Sequence, residues 1–116
     1  MRDRPPTLKD LQERHPRVWE AHEGLSGACL EAGPLDRKTA LLIKVGIAAA
    51  SRKRTPLATH IRLALQEGAT PEEVEHAILL TATTQGLSTM MEALEEWRGV
   101  LSSSRKRKLR PKGAGR

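Results

Sequence analysis

The chain of 116 residues contains no Phe and no Tyr, and its only large aromatics are Trp19 and Trp97. A core made from it must rest on Leu, Ile, Val, Ala and Met, small side chains that let helices approach closely. Cysteine is as scarce. A single Cys29 excludes an internal disulfide and any CxxC pair. Long apolar runs are missing too. The longest, Ala40–Ala50, is interrupted by Lys44 and falls well short of the roughly 20 residues that cross a bilayer. The opening MRDRPPTLKD has no apolar centre and does not read as a secretory signal. A cytoplasmic protein without a membrane span is the expectation.

Acidic residues are absent from the C-terminal end. The net charge of +6 is therefore misleading as an average. Residues 105–116 hold seven Lys and Arg and no acid, which leaves 13 Lys and Arg against 14 Asp and Glu in residues 1–104, a balance of −1. A nearly neutral body carries a basic appendage. The expected organisation is one helical domain over 1–104 and a basic disordered tail over 105–116. A chain this short has limited area to bury alone, so self-association is a plausible way to complete its core.

What is present is helical periodicity. Residues 1–6 read as loose, and Thr7 with Asp10 forms a weak capping pair before a first helical turn that Pro16 ends or restarts. Over Arg17–Ala32, Val18, Ala21, Leu25 and Cys29 recur at steps of three and four, and Gly33-Pro34 stops the helix. Asp36 caps a third helix, about Arg37–Ser51. That helix is apolar nearly all round and therefore expected to be buried. Thr55-Pro56 reads as the start of a fourth, carrying Leu57, Ile61, Ala64 and Leu65 and ending at Gly68. Thr70-Pro71-Glu72-Glu73 is a full capping box. The helix it starts carries Val74, Ala77, Ile78 and Thr81 and runs toward Gly86. A last helix places Leu87, Met90, Met91, Leu94, Trp97 and Leu101 on one face. No strand-like alternation and no internal repeat appears, so the fold class is all-α with about six helices.

The chemistry-bearing residues gather at one corner, SRKRTPLATH, from Ser51 to His60. His60 is the candidate general acid or base; its bland alternative is a core or interface histidine. Arg52, Lys53 and Arg54 are candidates for binding an anion, helped by the N-terminal dipole of the helix that follows. Their bland alternative is a solvated loop, or cations complementing the end of the preceding helix. Lys44 is either a buried amine of lowered basicity or a lysine whose charge reaches the surface. Cys29 reads as a small buried hydrophobe, and Met90 as a core or subunit-contact residue. The four histidines, His15, His22, His60 and His76, include no pair at helical metal-binding spacing, so neither a metal nor another cofactor is expected. The tail RKRKLRPKGAGR is either a solubilising extension or a weak, non-specific binder of nucleic acid or an acidic membrane surface. It lacks the aromatics that would stack on bases.

Residues Gly33 to Leu94 resemble the carboxymuconolactone decarboxylase and alkylhydroperoxidase-D-like (AhpD-like) family. The resemblance rests on Leu35 and Lys38, the alanine-rich Leu41–Ala50, a corner, and His60 eight residues before the glycine of Gly68-Ala69-Thr70-Pro71-Glu72-Glu73-Val74. It implies an AhpD-like all-α fold that assembles into homo-oligomers, commonly trimers or hexamers. Redox relatives carry a glutamate on the apolar helix, then a CxxC, then the histidine four residues on. By that spacing the cysteines fall on Lys53 and Pro56, and the glutamate on or next to Leu41. Peroxide reduction of this kind needs a thiolate and a resolving thiol, which lysine and proline cannot supply. Decarboxylase relatives need no CxxC and act on a carboxylated lactone, an anion that a cationic corner could attract. Two functions follow as expectations: acid/base chemistry by His60 on a small anionic substrate, or an inert oligomeric scaffold with a polyanion-binding tail.

Overall fold

Proline, glycine and capping residues place the helix boundaries in the computed structural model, which describes residues 8–109. The elements are α1 (Leu8–Arg14), α2 (Pro16–Leu30), α3 (Arg37–Ala50), α4 (Arg54–Gln66), α5 (Pro71–Leu79), the one-turn α6 (Ala82–Gln85) and α7 (Leu87–Leu109). No strand occurs among the described residues, and none of their helices is long and apolar enough to cross a membrane. The fold is all-α, as the periodicity requires. The expected loose segment 1–6 lies outside the described residues.

The chain divides into two units, residues 1–35 and 36–116. In the first, α1 is followed directly by α2, with Pro16 in the opening turn of α2, where its missing N–H costs nothing. The rings of Trp19 and His22, one turn apart, lie 5.7 Å from each other. Neither helix buries a residue. The stripe of Val18, Leu25 and Cys29 is exposed, which corrects the reading of Cys29 as a buried hydrophobe. Periodicity gave the stripe its direction; it could not supply a surface to cover it.

The second unit holds the core. Asp36 caps α3 by accepting a hydrogen bond from the Thr39 amide at 2.8 Å, and that bond holds its carboxyl below the ordinary range. Leu41, Val45, Ala48 and Ala49 of α3 are buried. They pack with Leu57, Ala58, Ile61 and Ala64 of α4, Val74 and Ile78 of α5, and Met90, Ala93, Trp97 and Val100 of α7. Only one face of α3 is covered. Ile43 and Ile47 on the other face are 46% and 60% exposed, so the expectation of a wholly buried helix is corrected.

Two boundaries shift. Helix α4 begins at Arg54 with Lys53 as its N-cap, so Thr55 is not the cap and Pro56 stands inside the first turn. Amides there have no intrahelical acceptor, so the ring is tolerated. The segment before Gly86 forms two pieces, α5 and α6. Gly86, at φ +103, makes the turn into α7 with a conformation that a Cβ would strain. Helix α7 passes the expected boundary at 104 and continues to Leu109; residues 110–116 of the tail lie outside the described residues.

The capping box forms in full. The Glu73 amide donates to Thr70 Oγ1 and the Thr70 amide to Glu73 Oε1, each at 3.0 Å. Lys38 Nζ also reaches Glu73 Oε2 at 3.3 Å, tying the start of α3 to the start of α5. Thr70→Ala is expected to cost about 1 kcal/mol, measurable by urea denaturation. Thr70→Ser, which keeps the acceptor, is expected to stay within about 0.5 kcal/mol of the original.

Candidate functional site

The corner expected from the sequence is built by the end of α3. Ser51 Oγ donates to the Ile47 carbonyl at 2.8 Å, and the chain then reverses through Arg52, at φ +58. This is the left-handed region, which an arginine enters at a cost of about 1–2 kcal/mol. The side chain then folds onto α7. Arg52 Nε donates to Glu92 Oε1 at 3.0 Å, and its Nη2 pairs with Glu92 Oε2. That pairing holds the Glu92 carboxyl low, with Arg52 and Arg54 adding their charge. The space bounded by Arg52, Lys53, Arg54, Leu57 and Glu92 is only about 10 Å³, roughly one water. The three cations expected to bind an anion are thus brought together, but Arg52 is committed to a carboxylate and no ligand-sized cavity lies between them.

His60 lies on α4, half-buried. Its Nδ1 is shielded from solvent and has no hydrogen-bond partner among the described residues. Burial holds the imidazole below its ordinary value, and the charge of Lys44 pushes it the same way. Lys44 itself is half-buried on α3. His60 lines neither the corner space nor the larger groove described below.

An imidazole that is harder to protonate in the fold than in the open chain destabilises the fold in acid. Its contribution is fully present above the ordinary imidazole value near 6.5 and declines as pH falls through that value. The lowered carboxyls of Asp36, Glu73 and Glu92 lose their contribution only in stronger acid, below the ordinary 3.8 to 4.5. His60→Gln is therefore expected to flatten the stability profile between about pH 7.5 and 5.5 and to leave the steeper loss below it. Urea midpoints measured across that interval check this.

Sequence reasoning missed an apolar groove. A groove of about 540 Å³ runs between α3 and the α5–α6 segment. Ile43, Gly46 and Ile47 wall one side, Ala77 and Leu80 the other, and Glu73 and His76 bring polar groups to it. Gly46 faces Ala77 across the groove, and a Cβ there would meet the Ala77 carbonyl oxygen at 3.9 Å, an ordinary contact that leaves room for alanine. The signal was present: residues 39, 42, 43, 46, 47 and 50 form a second face of α3 at steps of three and four. An all-round apolar helix hides which of its faces the fold will cover.

Thiol chemistry has no footing at the corner. Lys53 and Pro56 stand where redox relatives hold cysteine, and Leu41, where the glutamate would fall, is buried in the core. The only sulfhydryl, Cys29, belongs to α2. Among the described residues, no group of three or more His, Cys, Asp and Glu is placed to hold a metal ion.

No curated protein matches the chain closely enough to carry an argument. The family model for carboxymuconolactone decarboxylases matches residues 16–98, well over half of the chain. The match takes in α2 to α6, the corner, His60, the capping box and the part of α7 that enters the core. The chain belongs to the carboxymuconolactone decarboxylase family.

Proposed function

We propose that this chain, a member of its family without the CxxC pair, serves as an oligomeric helical platform, a trimer or hexamer in the cytoplasm, with its basic tail holding anionic polymers. The observation that carries the reading is the groove between α3 and α5, where Ile43, Ile47 and Leu80 remain exposed although they adjoin the core helices. A contiguous apolar surface of this kind marks an interaction site. Self-association of a small chain would cover it and add the core area that 116 residues struggle to supply alone. Light scattering tests the reading. A mass that is a multiple of 12.8 kDa at micromolar concentration is expected; a stable monomer would overturn it. Hydroperoxide turnover with a dithiol reductant is expected to stay at the buffer rate, before and after Cys29→Ser.

One observation favours a second reading, acid/base chemistry by His60 on a small anionic substrate. Its Nδ1 is sheltered and unsatisfied among the described residues, and a group supplied by a substrate or a neighbouring subunit could satisfy it. Arg52, Lys53 and Arg54 would then act as an anion-attracting rim. The tight Arg52–Glu92 pairing and the very small space at the corner speak against it. Turnover of a carboxylated lactone that disappears in His60→Gln would establish this reading over the platform.

A further inference from the structure

We infer that the cationic corner is a docking site for the acidic first turn of α5 from a second copy of this chain, in a two-fold, antiparallel contact that closes the groove. The inference rests on the platform reading and adds to it the partner surface, its orientation and a role for Lys53 and Arg54. Three observations carry it. First, the charges stand at opposite ends. Lys38, at the start of α3, is bonded to Glu73, at the start of α5, and Gly46 faces Ala77 further along both helices. Both helices therefore begin at the same end of the groove, and Glu72 and Glu73 mark that end. The corner directly follows the last residue of α3 and marks the other end. The 14 residues of α3 set the two ends about 20 Å apart. Between them, the α3 residues that line the groove, from Thr39 to Ala50, carry no charge.

Second, part of that charge is left over by the chain itself. Arg52 is held by Glu92, and Glu73 by Thr70 and Lys38. Glu72, Lys53 and Arg54 are exposed, and none of them forms an ion pair among the described residues. Arg54 favours the ionised form of Glu92 only through its charge. Two copies laid parallel would set acid against acid and cation against cation. A two-fold contact turns one copy end for end, so each acidic end meets the corner of the other, and the pairing occurs twice.

Third, the apolar surface has both halves of a fit. Ile43 and Ile47, four residues apart and exposed, form a ridge on α3. Gly46, Ala50 and Ala77, half-buried, leave a low floor beside it. Ridges of residues four apart settling into the grooves of a facing helix are the commonest way that helices pack. Under two-fold symmetry each copy gives one ridge and receives one. Such a contact pairs subunits, so the assembly holds an even number of copies, as a hexamer does and a trimer does not.

The test is charge reversal in the full chain, read by sedimentation equilibrium at low salt, with helix content followed by circular dichroism. One variant carries Glu72→Lys, which makes both ends of its groove cationic. The other carries Lys53→Glu and Arg54→Glu, which makes both ends acidic; acids suit the start of α4, so its fold is expected to persist. Each variant alone is expected to associate at least about tenfold more weakly than the original chain, since two attractions become two repulsions. An equimolar mixture of the two is expected to recover the original affinity within about threefold, because each now complements the other. Glu72→Gln, which removes the charge without reversing it, is expected to fall between the original and Glu72→Lys, and keeps the test open if the reversal unfolds α5. Association of the original chain that neither reversal weakens overturns the inference, as does a mixture that recovers nothing. An original chain that assembles as a trimer also overturns it and leaves the platform standing. An original chain that stays monomeric removes the platform, and the contact with it.

Discussion

Replacing Trp97 with alanine is expected to remove about 3–5 kcal/mol from the stability of the second unit. Small domains hold about 5–15 kcal/mol in all, so the loss would be a large share of the total. Trp97 is the largest fully buried side chain, 2% exposed, in a chain that has no Phe or Tyr to share its role. It lies on α7, which packs against α3, α4 and α5, and its Nε1–H donates to Glu75 Oε1 at 3.2 Å. The alanine variant therefore leaves a cavity and removes the hydrogen bond to Glu75, whose exposed carboxylate turns to water. Trp97→Phe keeps the apolar body and loses the donor, for an expected cost nearer about 1–2 kcal/mol. Urea denaturation followed by circular dichroism separates the two. A loss below about 1 kcal/mol for Trp97→Ala would mean that α7 is not held as described.

The second large effect is on assembly. Ile47→Glu is expected to turn the oligomer proposed above into a 12.8 kDa monomer of unchanged helix content, seen by sedimentation velocity. Within one chain Ile47 is 60% exposed, so a glutamate there meets water and disturbs little. Inside a subunit contact the same carboxylate would lose its water among Ile43, Leu80 and their counterparts. Burying an unpaired charge costs several kcal/mol, enough to weaken association by a factor of about a hundred or more. Leu80→Glu, from the other wall of the groove, is expected to act in the same way. An oligomer that survives both changes would remove the groove as the subunit contact. Changes in the buried stripe on the opposite face of α3, at Val45, would unfold the unit instead, so loss of assembly with retained helicity distinguishes an interface from a core.

Much of the fold was legible because helix signals are local. The capping box at Thr70–Glu73 formed from residues three apart, and Asp36 found the Thr39 amide within its own turn. Gly68 and Gly86 took up positive φ where the periodic segments ended. The misreadings were of two kinds. Thr55-Pro56 looked like a helix start, yet the chain had already turned helical at Arg54, because proline suits several positions of a first turn. Cys29 and Ile47 lay on apolar stripes yet stayed exposed, because a stripe records that a face can be covered and not that it is.

The candidate site was less legible for the same reason. Arg52, Lys53, Arg54 and His60 share one corner in sequence, but Arg52 is committed to Glu92, forty residues away on α7. His76 and Glu73 meet Ile43 and Ile47 across a groove that no local spacing announces.

Local order alone was enough for the helices, their caps, the lack of thiol partners at Lys53 and Pro56, and the concentration of charge beyond Ser104, since each depends on neighbours within a few residues. Which faces became core, which carboxylate took Arg52, where a cavity opened and how far α7 ran into the basic segment were decided by packing. Such outcomes follow from competition between distant surfaces for the same apolar area and the same charges, and that competition has no expression along the chain until the helices meet.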